Sequence, residues 1–117
     1  MKEKQFEYKI RHYLESKSVW YVKYFGCAYS SAGTPDLLCC ANSYMLAIEV
    51  KSNSGKPTEL QLQKIAQIRN SGGIGIVLCP DDFCQLMELI ECIDMGDISS
   101  AYNIADRINM RWGISRH

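Results

Sequence analysis

Phe6, Ile10, Tyr13 and Leu14 recur at helical spacing, so residues 3–16 predict an amphipathic helix. The pattern then changes. Residues 19–25 (VWYVKYF) are β-branched and aromatic and predict a strand. The small, polar stretch 26–34 reads as a loop. Residues 36–41 (DLLCCA) and 44–51 (YMLAIEVK) predict two further strands, joined at Asn42-Ser43 by a two-residue turn. A polar loop over 52–57 leads to Thr58 and Gln61, which fit a T-x-x-Q capping box opening a second helix. Leu60, Lys64, Ile65 and Ile68 continue its face, and Gly72-Gly73 stops it. Residues 74–79 (IGIVLC) predict a buried strand ended by Pro80. Residues 81–94 predict a helix with two acids in its first turn, and residues 99–110 a last one.

The order is helix, three strands, helix, strand, helix, helix. Short links make the first three strands an antiparallel meander. The fourth, reached through a crossover helix, is expected to lie parallel to the third in a mixed sheet. The predicted class is therefore α/β, a mixed central sheet flanked by helices. A chain of 117 residues suits one domain, with its core over about 3–94 and a C-terminal helical extension over about 97–117.

Composition narrows the partners. A hydrophobic fraction of 47% with 22% charged residues is ordinary for a globular protein. No apolar run reaches the ~18 residues that would span a bilayer. The opening MKEKQFEYKIRHYLE lacks the apolar segment of a signal peptide, so an intracellular, cytoplasmic protein is expected. Six cysteines form no CxxC pair, and most sit in apolar runs, so they read as reduced, buried thiols. Net charge is zero, but residues 1–70 hold ten Lys/Arg against six acids and residues 71–117 three against seven, balances of +4 and −4. An anionic partner should meet the N-terminal half.

The charged positions in the strands carry the chemistry. With Asn42-Ser43 at the turn, Ala41 faces Tyr44 and Asp36 faces Glu49, which puts two carboxylates opposite each other, their Cβ atoms ~4.5–5.5 Å apart. Such a pair is unfavourable unless a cation lies between, and Mg²⁺ takes oxygen ligands. Lys51 follows Glu49 by two residues and projects to the same face ~6.6–7 Å further on. An ammonium there can position a water and stabilise charge on a phosphate. Two acids, a lysine and a metal suit phosphodiester hydrolysis.

Pro35-Asp36, then Glu49-Val50-Lys51 with Glu49 thirteen positions after Asp36, resembles the PD-(D/E)XK nuclease motif. GTPDLL, AIEVK and TELQ together resemble a VRR-NUC domain over roughly residues 3–90. The resemblance implies a restriction-endonuclease-like αβββαβ core and a Mg²⁺- or Mn²⁺-dependent endonuclease. Asp36 and Glu49 match the metal ligands, and the Val50 carbonyl would be another. Glu7 matches an N-terminal acid that completes the metal environment, Lys51 the catalytic lysine, and Gln61 a glutamine near the active site. Stand-alone members occur in phages, are similar in layout to Holliday-junction resolvases and tend to be homodimers, which implies branched or structured DNA as the partner.

Blander readings stand beside these. Glu7 also suits an i,i+4 pair with Arg11, and Gln61 the capping box. Thr34, Ser30 and Ser31, with Lys56 and Lys64, read as phosphate contacts or as ordinary polar surface. His12 and His117 read as surface residues, and Trp20, Tyr21, Tyr24 and Tyr29 as core or sheet-face residues. The alternative function is a DNA-binding or assembly subunit that needs a partner for activity. A sequence-specific restriction-type nuclease ranks lower, because the chain leaves little room for a recognition domain.

Overall fold

A computed structural model of the chain describes residues 1–26 and 32–116. Cys27, Tyr29, Ser30, Ser31 and His117 lie outside the described residues, as does what was expected of them.

The elements follow the predicted order: α1 (Glu3–Ser16), β1 (Trp20–Lys23), β2 (Leu37–Ala41), β3 (Tyr44–Val50), α2 (Glu59–Asn70), β4 (Ile74–Leu78), α3 (Phe83–Asp94) and α4 (Ile98–Met110). A short 3₁₀ turn, Pro80–Asp82, takes up the residues expected to open the third helix. Its proline sets the turn, and α3 starts only afterwards. β1 is four residues, shorter than the aromatic run suggested.

The sheet order is β1-β2-β3-β4, with β1–β2 and β2–β3 antiparallel and β3–β4 parallel. Ala41 pairs with Tyr44 and Leu37 with Ile48, the expected register. Asn42 and Ser43 both have positive φ, +46° and +75°, as a type I′ turn requires. Asparagine tolerates that region, and the two-residue turn fixes the pairing of both strands.

One face of the sheet carries Leu37, Cys39, Leu46, Ile48, Val50, Ile74, Ile76 and Leu78. They form one apolar cluster with Phe6, Ile10 and Leu14 of α1, Leu86, Leu89, Ile90 and Ile93 of α3, and Ala101, Ile104, Ala105 and Ile108 of α4. Phe83 packs edge-on against Phe6 and Tyr13, with ring centroids 6.1 and 5.8 Å away. The segment expected as an extension is thus part of the core. Asn109 of α4 accepts from the Val77 N–H and donates to the Gly75 carbonyl, and the Trp112 indole donates to the Val77 carbonyl. These groups occupy the outer edge of β4, where a further strand would otherwise pair.

The other face is covered by α2 over β3 and β4. Ile65 is the buried residue of α2; Leu60, expected on its apolar face, is half exposed. The helix lies close because β4 has Gly75 beneath it, where a Cβ would sit 3.2 Å from the Ile65 carbonyl oxygen. Among the described residues, no helix covers this face over β1 and β2. Trp20 is a sheet-face residue, 66% exposed, and Cys40 is exposed, against the expectation of buried thiols. The physical reason is the narrow cover: one helix shields two strands. Cys84 is exposed as well, whereas Cys39 and Cys79 are buried; the described cysteines are all free. His12 is exposed, as expected. No helix among the described residues is long and apolar enough to cross a membrane.

Candidate active site

The site lies where β2 begins and β3 ends. Leu37 is the first paired residue of β2, so Asp36 sits one step before the ladder, next to Glu49 in register. Its backbone carbonyl accepts from the Tyr24 N–H at 2.8 Å, and its side-chain Oδ2 accepts from the Val50 N–H at 2.8 Å. Asp36 is therefore held between β1 and β3. In an extended strand a residue's N–H and C=O point to the same edge, so the Val50 carbonyl faces the Asp36 side of β3. The Lys51 N–H donates to the Leu78 carbonyl at 2.9 Å, which fixes the far end of β3 on β4.

Glu49 is 3% exposed. Its carboxyl is pushed up to about 8, first by burial and then by the charge and hydrogen bonding of Asp36, with Lys51 pulling the other way. The Lys51 ammonium lies 3.5 Å from Glu49 Oε2. The structure thus brings Asp36, Glu49 and Lys51 together.

Glu7 reaches the site through an intermediary absent from the motif. The Lys23 ammonium lies 2.7 Å from Glu7 Oε1 and 3.3 Å from Asp36 Oδ1, a cation bridging two acids. Burial alone would lower the Lys23 pKa, but Glu7 and Asp36 outweigh it and the value is raised. Glu7 also pairs with Arg11 at 3.7 Å, the i,i+4 contact expected of it. No signal in the sequence tied Lys23 to Glu7, because the two meet only when α1 packs beside the end of β1. Among the described residues no three Asp, Glu, His or Cys side chains converge as a metal cage.

Gln61 holds the capping box. Its Oε1 accepts from the Thr58 N–H at 2.9 Å, while the Gln61 N–H donates to Thr58 Oγ at 3.2 Å. The first turn of α2 is nevertheless next to the Asp36 loop. Gly33, at φ +81°, is so close that a Cβ would come within 2.5 Å of the Leu60 carbonyl oxygen. Only glycine meets both demands, which gives the glycine of GTPD a physical role. Thr34 is half-buried in the same loop. Lys56 is exposed and lines a cleft with Arg111 and Trp112, while Lys64 is half-buried on α2. Loop 52–57 leans on the catalytic candidate, since a Cβ on Gly55 would be 3.6 Å from Lys51 Cδ.

The donors fit a hard divalent cation. Asp36 and Glu49 are adjacent carboxylates, and Glu49 is raised first by burial and then by Asp36, so a cation would relieve the pair. Mg²⁺ commonly takes one or two carboxylates and completes its shell with water and phosphate, so a full protein cage is not required. No family model matches this chain, and no curated protein matches it.

Proposed function

We propose that the chain is a divalent-metal-dependent endonuclease of the PD-(D/E)XK type, cleaving phosphodiester bonds in structured or branched DNA. The observation that carries this reading is the buried Glu49 beside Asp36, which is tied to the Val50 N–H, with the Lys51 ammonium 3.5 Å from Glu49. The α/β fold with a mixed four-stranded sheet is compatible with that class. Asp36 and Glu49, with the Val50 carbonyl and Glu7, would hold Mg²⁺ or Mn²⁺. When bound, the metal supplies an acidified water and neutralises charge on the scissile phosphate. The Lys51 ammonium stabilises negative charge developing on the phosphate oxygens and orients the attacking water. Val50 N–H fixes Asp36 Oδ2, while Oδ1 faces the Lys23 ammonium, which a bound cation would have to displace. Glu7 joins the site once Lys23 yields its place at Asp36. The resemblance further supports a homodimer, and the open outer edge of β1 with exposed Trp20 and Val22 is a surface a second copy could use.

The test is cleavage of linear duplex, single-stranded overhang and four-way-junction DNA in Mn²⁺. Wild type is expected to cleave, and Asp36→Ala and Lys51→Ala to bind without cleaving. One observation favours a second reading, a DNA-binding or assembly subunit: the Lys23 ammonium already occupies the space between Glu7 and Asp36. Tight binding with no cleavage in any metal would select it.

A further inference from the structure

A cleft reaches Asp36 from the α1 side, and Lys51 is not among its lining residues. Its volume is about 430 Å³, and among its lining residues are Arg11, Lys23, Tyr8 and Phe25. Two of these call for an explanation. Tyr8 is 52% exposed and Phe25 78% exposed, so burial in the core accounts for neither ring. Each carries a cation: the Arg11 guanidinium lies 5.7 Å from the Tyr8 centroid and the Lys23 ammonium 5.8 Å from that of Phe25.

Exposed aromatic faces beside cations are the chemistry that holds single-stranded nucleic acid: the rings stack on bases and the cations meet phosphates. A base within a duplex is already stacked on both faces and cannot use such a ring. We propose that Tyr8 and Phe25 form a stacking subsite for unpaired bases of a DNA strand whose phosphates are held by Arg11 and Lys23. This rests on the nuclease reading for the position of the scissile phosphate at Asp36. The cleft's lining acids, Glu3, Glu7 and Asp36, offset Lys4, Arg11 and Lys23, so it becomes net positive only when a divalent cation sits on the acids. Metal and strand should then bind cooperatively. The subsite gives the enzyme a preference for substrates with unpaired nucleotides beside the cut.

The experiment is fluorescence anisotropy with labelled blunt duplex and the same duplex carrying a single-stranded overhang. It is run in Ca²⁺ and again in EDTA, with no need for cleavage. Wild type should bind the overhang more tightly, and more so in Ca²⁺. Tyr8→Ala with Phe25→Ala should weaken overhang binding by about tenfold more than blunt binding. Tyr8→Leu with Phe25→Leu keeps apolar bulk without a π face and should behave like the alanine pair, while Tyr8→Phe with Phe25→Trp should retain the preference. Equal loss on both DNAs, no loss, or a wild type that binds neither DNA would overturn the subsite. If wild type fails to cleave in Mn²⁺ yet the overhang preference and its loss persist, the nuclease reading fails alone.

Discussion

Asp36 Oδ2 accepts the Val50 N–H at 2.8 Å, so the acid of one strand is tied to the backbone of the strand that carries Glu49. Structural and proposed chemical roles therefore share one side chain, and two substitutions separate them. Asp36→Asn can still accept from Val50 but gives up the charge paired with Lys23, so it should lose less stability in EDTA than Asp36→Ala. Asp36→Ala leaves the Val50 N–H unpaired and should cost about 1–2 kcal/mol. Both should lower cleavage roughly a hundredfold or more, given the several kcal/mol such charge stabilisation supplies. Urea denaturation and cleavage rates check the contrast.

Glu49 sets a pH dependence. Its carboxyl has an ordinary value of 4.5 and is pushed up to about 8 in the fold. Between those values the folded state keeps a proton that the unfolded state has lost. The contribution is complete below 4.5, falls as pH rises, and levels off beyond about 8. Urea midpoints in EDTA should decline across that window. On the proposed reading Mg²⁺ takes the ionised form of Glu49, so saturating Mg²⁺ should flatten or reverse the trend. A flat profile in EDTA would contradict the buried pair.

Lys23 bridges Asp36 and Glu7, so on the proposed reading it would compete with a metal for both acids. Lys23→Gln should destabilise the metal-free protein by about 1–2 kcal/mol, since the bridge is mostly shielded from water. The same variant should bind Mg²⁺ several-fold more tightly, read by calorimetry. A loss of stability with weaker metal binding would mean that Lys23 supports the site instead of blocking it.

Gly33 should tolerate no side chain. Alanine there meets both a positive φ and the Leu60 carbonyl, so Gly33→Ala should cost more than about 1 kcal/mol. Because the loop carries Asp36, cleavage should fall with Lys51 untouched.

The box at α2 is separable from the chemistry. Thr58→Ala should cost about 1 kcal/mol, while Gln61→Glu preserves the box and should preserve stability. Melting curves test this, and a cleavage defect in Gln61→Glu would assign Gln61 a role at the site as well.

Some of this was legible in one dimension because its causes are local. Asn42-Ser43 is a two-residue turn, and counting outward from it places Asp36 beside Glu49 without knowledge of any other element. The period-2 alternation puts Lys51 on the Glu49 side, and Thr58 opens α2 through contacts three residues apart. What tertiary structure alone decided are meetings between distant segments. Lys23 stands between Glu7 and Asp36 only because α1 docks beside β1. Asn109 and Trp112 close the edge of β4 only because α4 belongs to the core. Trp20 and Cys40 are exposed only because α2 spans two strands of the sheet and leaves the other two uncovered. Periodicity records which side of its own element a residue faces, whereas what lies on that side depends on how the elements pack.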